Sequence, residues 1–233
     1  VGLKPFRIRT REAWAAFLEG EGELRALMEE PDREAAGERL VARCGELLAP
    51  AFSSPSFELG HNGEKYELIL VPEGDRARMF QMAYFRRYAP EELLERWNVQ
   101  VGRSRSESFS LRMYGQEIAL GDVQAWAEKT EDGGLGLSLY CEKLAPLMKE
   151  NEDQAYSIIY ILLDQALGEL AAMRYVDYLE VLTAPGEGES MPLDSLAGFV
   201  SGEVDPEGWP RANDPELSGQ RYTAYEGTPS EEE

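Results

Sequence analysis

Asp164 and Glu169 are the two side chains whose setting invites chemistry. Asp164 follows the largely apolar run IIYILL inside the stretch NEDQAYSIIYILLDQALGELAAM. A carboxylate drawn out of water must find a partner or change its pKa. The first outcome is structural: the acid marks the helix stripe that meets solvent or an arginine from the neighbouring sheet. The second is a functional acid, of use in proton transfer or ligand binding. A pocket near Asp164 with convergent polar groups would mark a carboxylate-based hydrolase or a small-ligand domain. With 44 acidic residues, the sequence by itself selects no catalytic pair.

The other candidates are fewer. The only histidine, His61, lies in FELGHNGEKYELILV, where period-two alternation flanks Asn62-Gly63. That pattern predicts a β-hairpin with His61 at its exposed tip, where nothing orients an imidazole for catalysis. Cys44 and Cys141 sit in apolar patterns and read as small buried hydrophobes; one histidine and two cysteines assemble no structural zinc site of the usual kind. No phosphate loop, dinucleotide fingerprint, HExxH or GxSxG motif is present, and Ser138 in GLSLY stands in a strand, not at a nucleophile elbow. No catalytic residue, metal or cofactor is therefore assigned. RMFQMAYFRRY interleaves aromatics with arginines, which makes Arg86 and Arg87 candidate binding residues. The competing reading is a buried aromatic strand with arginines at its end.

Charge narrows the partner. The formal charge is −21, which disfavours nucleic acid and anionic membranes; solubility is its usual meaning and a basic protein partner the sharper one, and charge alone does not choose between them. Eight arginines against four acids between Arg76 and Arg112 form one locally basic stretch; interspersed charges of this kind usually pair within the molecule. The apolar run AYSIIYILL is too short to span a bilayer, and VGLKPFRIRT lacks the apolar core of a signal peptide, so the expected location is the cytoplasm.

The elements that must position these groups follow from periodicity. REAWAAFLEGEGELRALMEE is helical, with a kink or break expected at GEG, and Asp32 N-caps a second helix carrying Cys44, Leu47 and Leu48. After the hairpin, residues 78–88 read as a third strand with Phe80, Met82 and Tyr84 on one face. Pro90 opens a short helix, and residues 108–143 hold further strands with a hairpin turn at EDGG. Asn151 caps one long buried helix, and RYVDYLEVL is the last strand. The chain reads as a single α+β domain over 1–186: a mainly antiparallel sheet, N-terminal helices and one long buried helix. Residues 187–233 read as an irregular acidic extension adding no strand, with Trp209 and Tyr222 docking on the domain or on another copy of it.

ILLDQALGELAAMRYVDYLEVL, about a tenth of the chain, resembles segments of small bacterial α+β proteins, some of which act as immunity proteins in toxin systems. The resemblance carries no catalytic motif. The charge of −21 together with the missing catalytic motifs points to a noncatalytic bacterial protein-binding module with an acidic surface for a basic protein partner, and the resemblance adds the manner of an immunity protein. The candidate binding residues are Asp164, Glu169, Arg86, Arg87 and Trp209.

Overall fold

A computed structural model describes residues 4–106 and 108–218. The chain is α+β and groups into two compact units, Val1–Val101 and Gly102–Glu233.

Unit 1 begins with two helices, α1 (Phe6–Met28) and α2 (Arg33–Leu48), packed together. The expected interruption at GEG does not occur: α1 runs unbroken. Gly20 explains why. A methyl there would lie 2.8 Å from both Cδ atoms of Leu47, so the glycine lets α1 and α2 approach closely. Asp32 caps α2 by accepting from the Ala35 N–H, 3.2 Å. The expected hairpin forms, β1 (Ser56–His61) against β2 (Tyr66–Val71). His61 is exposed at its tip, and Asn62 Oδ1 closes the turn by accepting from the Glu64 and Lys65 N–H groups.

Residues 78–88 are not a strand. Residues up to Arg87 belong to α3 (Arg76–Arg87), which Tyr88 ends, and Asp75 caps its start by accepting from the Ala77 and Arg78 N–H groups. The buried residues are Met79, Met82 and Phe85, a helical spacing, while Phe80 is exposed. Arg86 and Arg87 thus stand in a last helical turn, where positive charge complements the carbonyl end. A short α4 (Glu91–Leu94) leads into β3 (Trp97–Val101), which lies parallel to β2. The core of this unit is aromatic: Trp14 stacks on Phe85 at 4.0 Å, and Phe17 meets Trp97 edge-on at 5.4 Å.

Unit 2 opens with a small hairpin, β4 (Ser110–Met113) and β5 (Gln116–Ala119). Its main sheet holds β6 (Gln124–Lys129), β7 (Leu135–Tyr140), β8 (Val176–Leu182) and β9 (Met191–Pro192), in the order β8-β7-β6-β9. Only the β7–β8 pair is parallel. The extension therefore does add a strand: β9 pairs antiparallel with β6, and the Leu193 N–H continues the contact to Val123 O at 2.9 Å. Two residues are too few to leave a periodic signature. One sheet face carries Ala125, Leu137, Leu139 and Val181 into a core shared with Ile158, Ile159, Leu162 and Leu163 of α6 (Glu152–Leu167), which follows a short α5 (Ala145–Glu150). Tyr156 of α6 reaches the edge strand, its hydroxyl accepting from the Val181 N–H at 3.4 Å.

Asn151 caps α6, accepting from the Gln154 N–H at 3.2 Å. The expected single helix breaks at Gly168, which takes φ +85°, a left-handed conformation that costs a residue with a Cβ. The chain then turns by 99° into α7 (Glu169–Tyr175). No single helix among the described residues is long and apolar enough to cross a membrane.

Candidate functional site

The corner between α6 and α7 is where the sequence-derived acids meet. Asp164 lies in the last turn of α6, and its carbonyl accepts from the Gly168 N–H at 2.7 Å. Glu169 is the first residue of α7, where negative charge suits the helix dipole. The segment before the small hairpin runs alongside. The Glu169 N–H donates to Arg103 O at 2.9 Å, and the Arg103 N–H donates to Glu169 Oε2 at 3.1 Å. The Ser106 N–H donates to Gln165 O at 2.7 Å. Arg103 Nη1 stands 3.9 Å from both Asp164 Oδ2 and Glu169 Oε2.

This geometry leaves the two carboxylates unequal. Glu169 is almost fully buried and held by the backbone as well as by the guanidinium. Asp164 keeps 22% of its side chain exposed. Burial, reinforced by the charge of Glu169 and opposed by Arg103, pushes its carboxyl up to about 7. Asp164 can therefore give or take a proton near neutrality, beside a fixed positive charge.

The extension locks the same corner. Asn213 donates from Nδ2 to Leu167 O at 3.4 Å and accepts at Oδ1 from the Ala171 N–H at 3.3 Å. A methyl at Gly168 would collide with this amide. At the other end of α7, Asp205 Oδ2 accepts from Arg174 Nη2 and from the Tyr175 hydroxyl, each at 3.1 Å. Trp209 packs half-buried on the unit 2 core, its ring 6.0 Å from that of Tyr175. Tyr222 lies outside the described residues.

Arg86 and Arg87 belong to unit 1. Arg86 donates from Nε to Val99 O at 2.9 Å and borders a cleft of about 420 Å³ with Lys65, Trp97 and Asn98. Arg87 is exposed beside it in the chain. The structure thus brings Asp164 and Glu169 together and sets Trp209 at the far end of the helix that Glu169 begins.

Sequence reasoning missed Arg103, Asp205 and Asn213. Arg103 was visible only as one arginine in a basic stretch, and Asn213 sits in a segment without periodicity. The left-handed glycine in ALGEL was the one local signal of a corner. Among the described residues, no group of three or more His, Cys, Asp or Glu side chains is arranged to hold a metal ion. No protein-family model, curated protein or solved structure matches the chain.

Proposed function

We propose that this chain is a noncatalytic bacterial protein-binding module, in the manner of an immunity protein, that takes a basic protein partner on an acidic surface. The observation that carries the reading is the uneven distribution of charge. Unit 2 has 26 acidic residues against nine basic, whereas unit 1 has 18 against 14. Several of the few cations in unit 2 are engaged internally: Arg112 with Glu117 at 2.5 Å, Lys143 with Asp122 at 2.6 Å, Arg174 with Asp205 at 3.1 Å. Long-range attraction of this kind speeds encounter and weakens with salt. A cytoplasmic setting goes with the reading and accords with two free, buried thiols, since reducing compartments keep cysteines unpaired. The test is a pull-down from the native host at low and high salt. The expected result is a basic protein retained at low salt and released at high salt; no basic protein at low salt would count decisively against it.

A second reading, a carboxylate-based hydrolase or small-ligand domain with its pocket near Asp164, is favoured by one observation: that carboxyl, pushed up to about 7, stands beside Arg103 and Glu169. Carbon-13 NMR of labelled aspartate checks it. A resonance that titrates near neutrality and disappears in Asp164→Asn is expected, and a midpoint in the ordinary carboxylate range removes the support.

A further inference from the structure

The face of the β8-β7-β6 sheet opposite the unit 2 core repeats one pattern. Strand register places Glu128, Gly136 and Tyr178 in one row across the three strands, and Trp126, Ser138 and Glu180 in the next. Because side chains alternate along a strand, these rows share the face turned away from Leu137, Leu139 and Val181. Each row pairs one carboxylate with one aromatic, in opposite order. The carboxylates therefore occupy one diagonal, the rings the other, and the small residues Gly136 and Ser138 the middle strand between them.

The side chains are shaped for a visitor. Tyr178 lies over Gly136, where a methyl would collide with its ring, and the residue is nevertheless 47% exposed. A ring lying across a strand offers its face, the electron-rich side that attracts cations. Glu128 and Glu180 are exposed and have no side-chain hydrogen bond or ion pair among the described residues. No basic residue stands in either row. Strands about 4.8 Å apart and residues about 6.8 Å apart along a face place the backbone positions of Glu128 and Glu180 about 12 Å apart. That matches side chains four residues apart on one extended strand, about 13 Å.

We propose that this face is where the basic partner docks, and that it receives an extended segment whose arginine or lysine side chains reach Glu128 and Glu180 while a cation lies over Tyr178. The inference rests on the proposed function above and narrows it to one surface. Charge complementarity selects the occupant: an unpaired carboxylate on β6 and another on β8, with the exposed ring of Tyr178 beside them, fits a cationic peptide.

The test uses the full chain and a labelled peptide of alternating arginine and threonine, followed by fluorescence anisotropy at low salt. Glu128→Lys with Glu180→Lys is expected to weaken binding about ten-fold or more, as two lost ion pairs become repulsions. Tyr178→Ala is expected to weaken it about three-fold. A control with the same charge change, Glu142→Lys with Glu150→Lys, alters exposed carboxylates elsewhere in unit 2 and is expected to change binding less than two-fold. Should the reversed pair fail to fold by circular dichroism, Glu128→Gln with Glu180→Gln replaces it, with a loss of about three-fold expected. If the control weakens binding as much as the face variants, attraction is diffuse: the face is wrong while the acidic-module reading survives. If the wild-type chain does not bind the peptide at low salt, both fall. If the chain sediments as a dimer that the face variants dissociate, the occupant is a second copy, and the proposed basic segment is overturned.

Discussion

Glu21 in unit 1 and Asp164 in unit 2 are both carboxylates taken out of water, and their surroundings drive them in opposite directions. Glu21 keeps 7% of its side chain exposed. Burial opposes its charge, but it accepts hydrogen bonds from Arg25 Nε at 2.7 Å, Arg96 Nη2 at 3.0 Å and Trp97 Nε1 at 3.1 Å, and its pKa is lowered. Asp164 has a guanidinium at 3.9 Å and a second acid beside it, and burial prevails. Glu21 has the smaller exposed surface, but Asp164 lies deeper among protein atoms and has fewer and more distant donors, and the two differences act in the same direction. The contrast extends to the whole units: one nearly balances its charges, and the other carries most of the excess.

Glu21→Ala should have the larger effect. It leaves the buried indole N–H of Trp97 and two partly exposed arginines without their common acceptor, a loss of about 3 kcal/mol for three charge-assisted hydrogen bonds, discounted for the exposure of the arginines. The loss should appear in urea unfolding at neutral pH. Because the folded pKa is lowered, this stabilisation is present above the ordinary carboxylate range and fades as pH falls through the folded pKa. Wild type and variant should therefore converge in acid. A constant gap down to the lowest pH would show that packing, not charge, supplies the effect.

Asp164→Asn should do the reverse and less. The folded carboxyl is raised from 3.8 to about 7, so the folded state holds the proton more tightly. Ionisation then costs stability, increasingly from about pH 4 to 7 and fully above that range. An asparagine avoids this cost. Allowing for partial exposure and for the lost attraction to Arg103, the variant should gain about 2 kcal/mol at pH 8 and nothing below pH 4. Equal stability at pH 8 would mean that Arg103 compensates Asp164 as fully as Arg25 and Arg96 compensate Glu21, and the contrast between the units would disappear.

What could be read beforehand depended on how local the cause was. The first hairpin was legible because alternation and Asn62-Gly63 lie within one short stretch. The caps at Asp32 and Asn151 were legible because each acts on a backbone N–H three residues on. Residues 78–88 misled because aromatics and methionines suit a strand as well as a helix, and the deciding residue, Asp75, lay just outside the pattern in an apparent turn. GEG read as a break because glycine weakens a helix, yet the close contact of Gly20 with Leu47 comes from a partner helix. At the candidate site, the apolar run drew attention to Asp164, which the fold leaves half-buried. Its counterion did not show, because Arg103 lies 61 positions away in the chain.

The lock on the α6–α7 corner has a consequence for the order of events during synthesis. Asn213 bonds to Leu167 and Ala171 across 46 and 42 positions, and Leu193, Leu196, Val200 and Ala212 all belong to the unit 2 core. A nascent chain that has just emerged through β8 possesses the corner but not its clasp. Residues up to Val101 already contain every partner of the Glu21 cluster. The ribosome thus delivers a unit able to close early, then a second whose apolar core waits for its last contributors, and that interval is when the emerging chain is most exposed to aggregation.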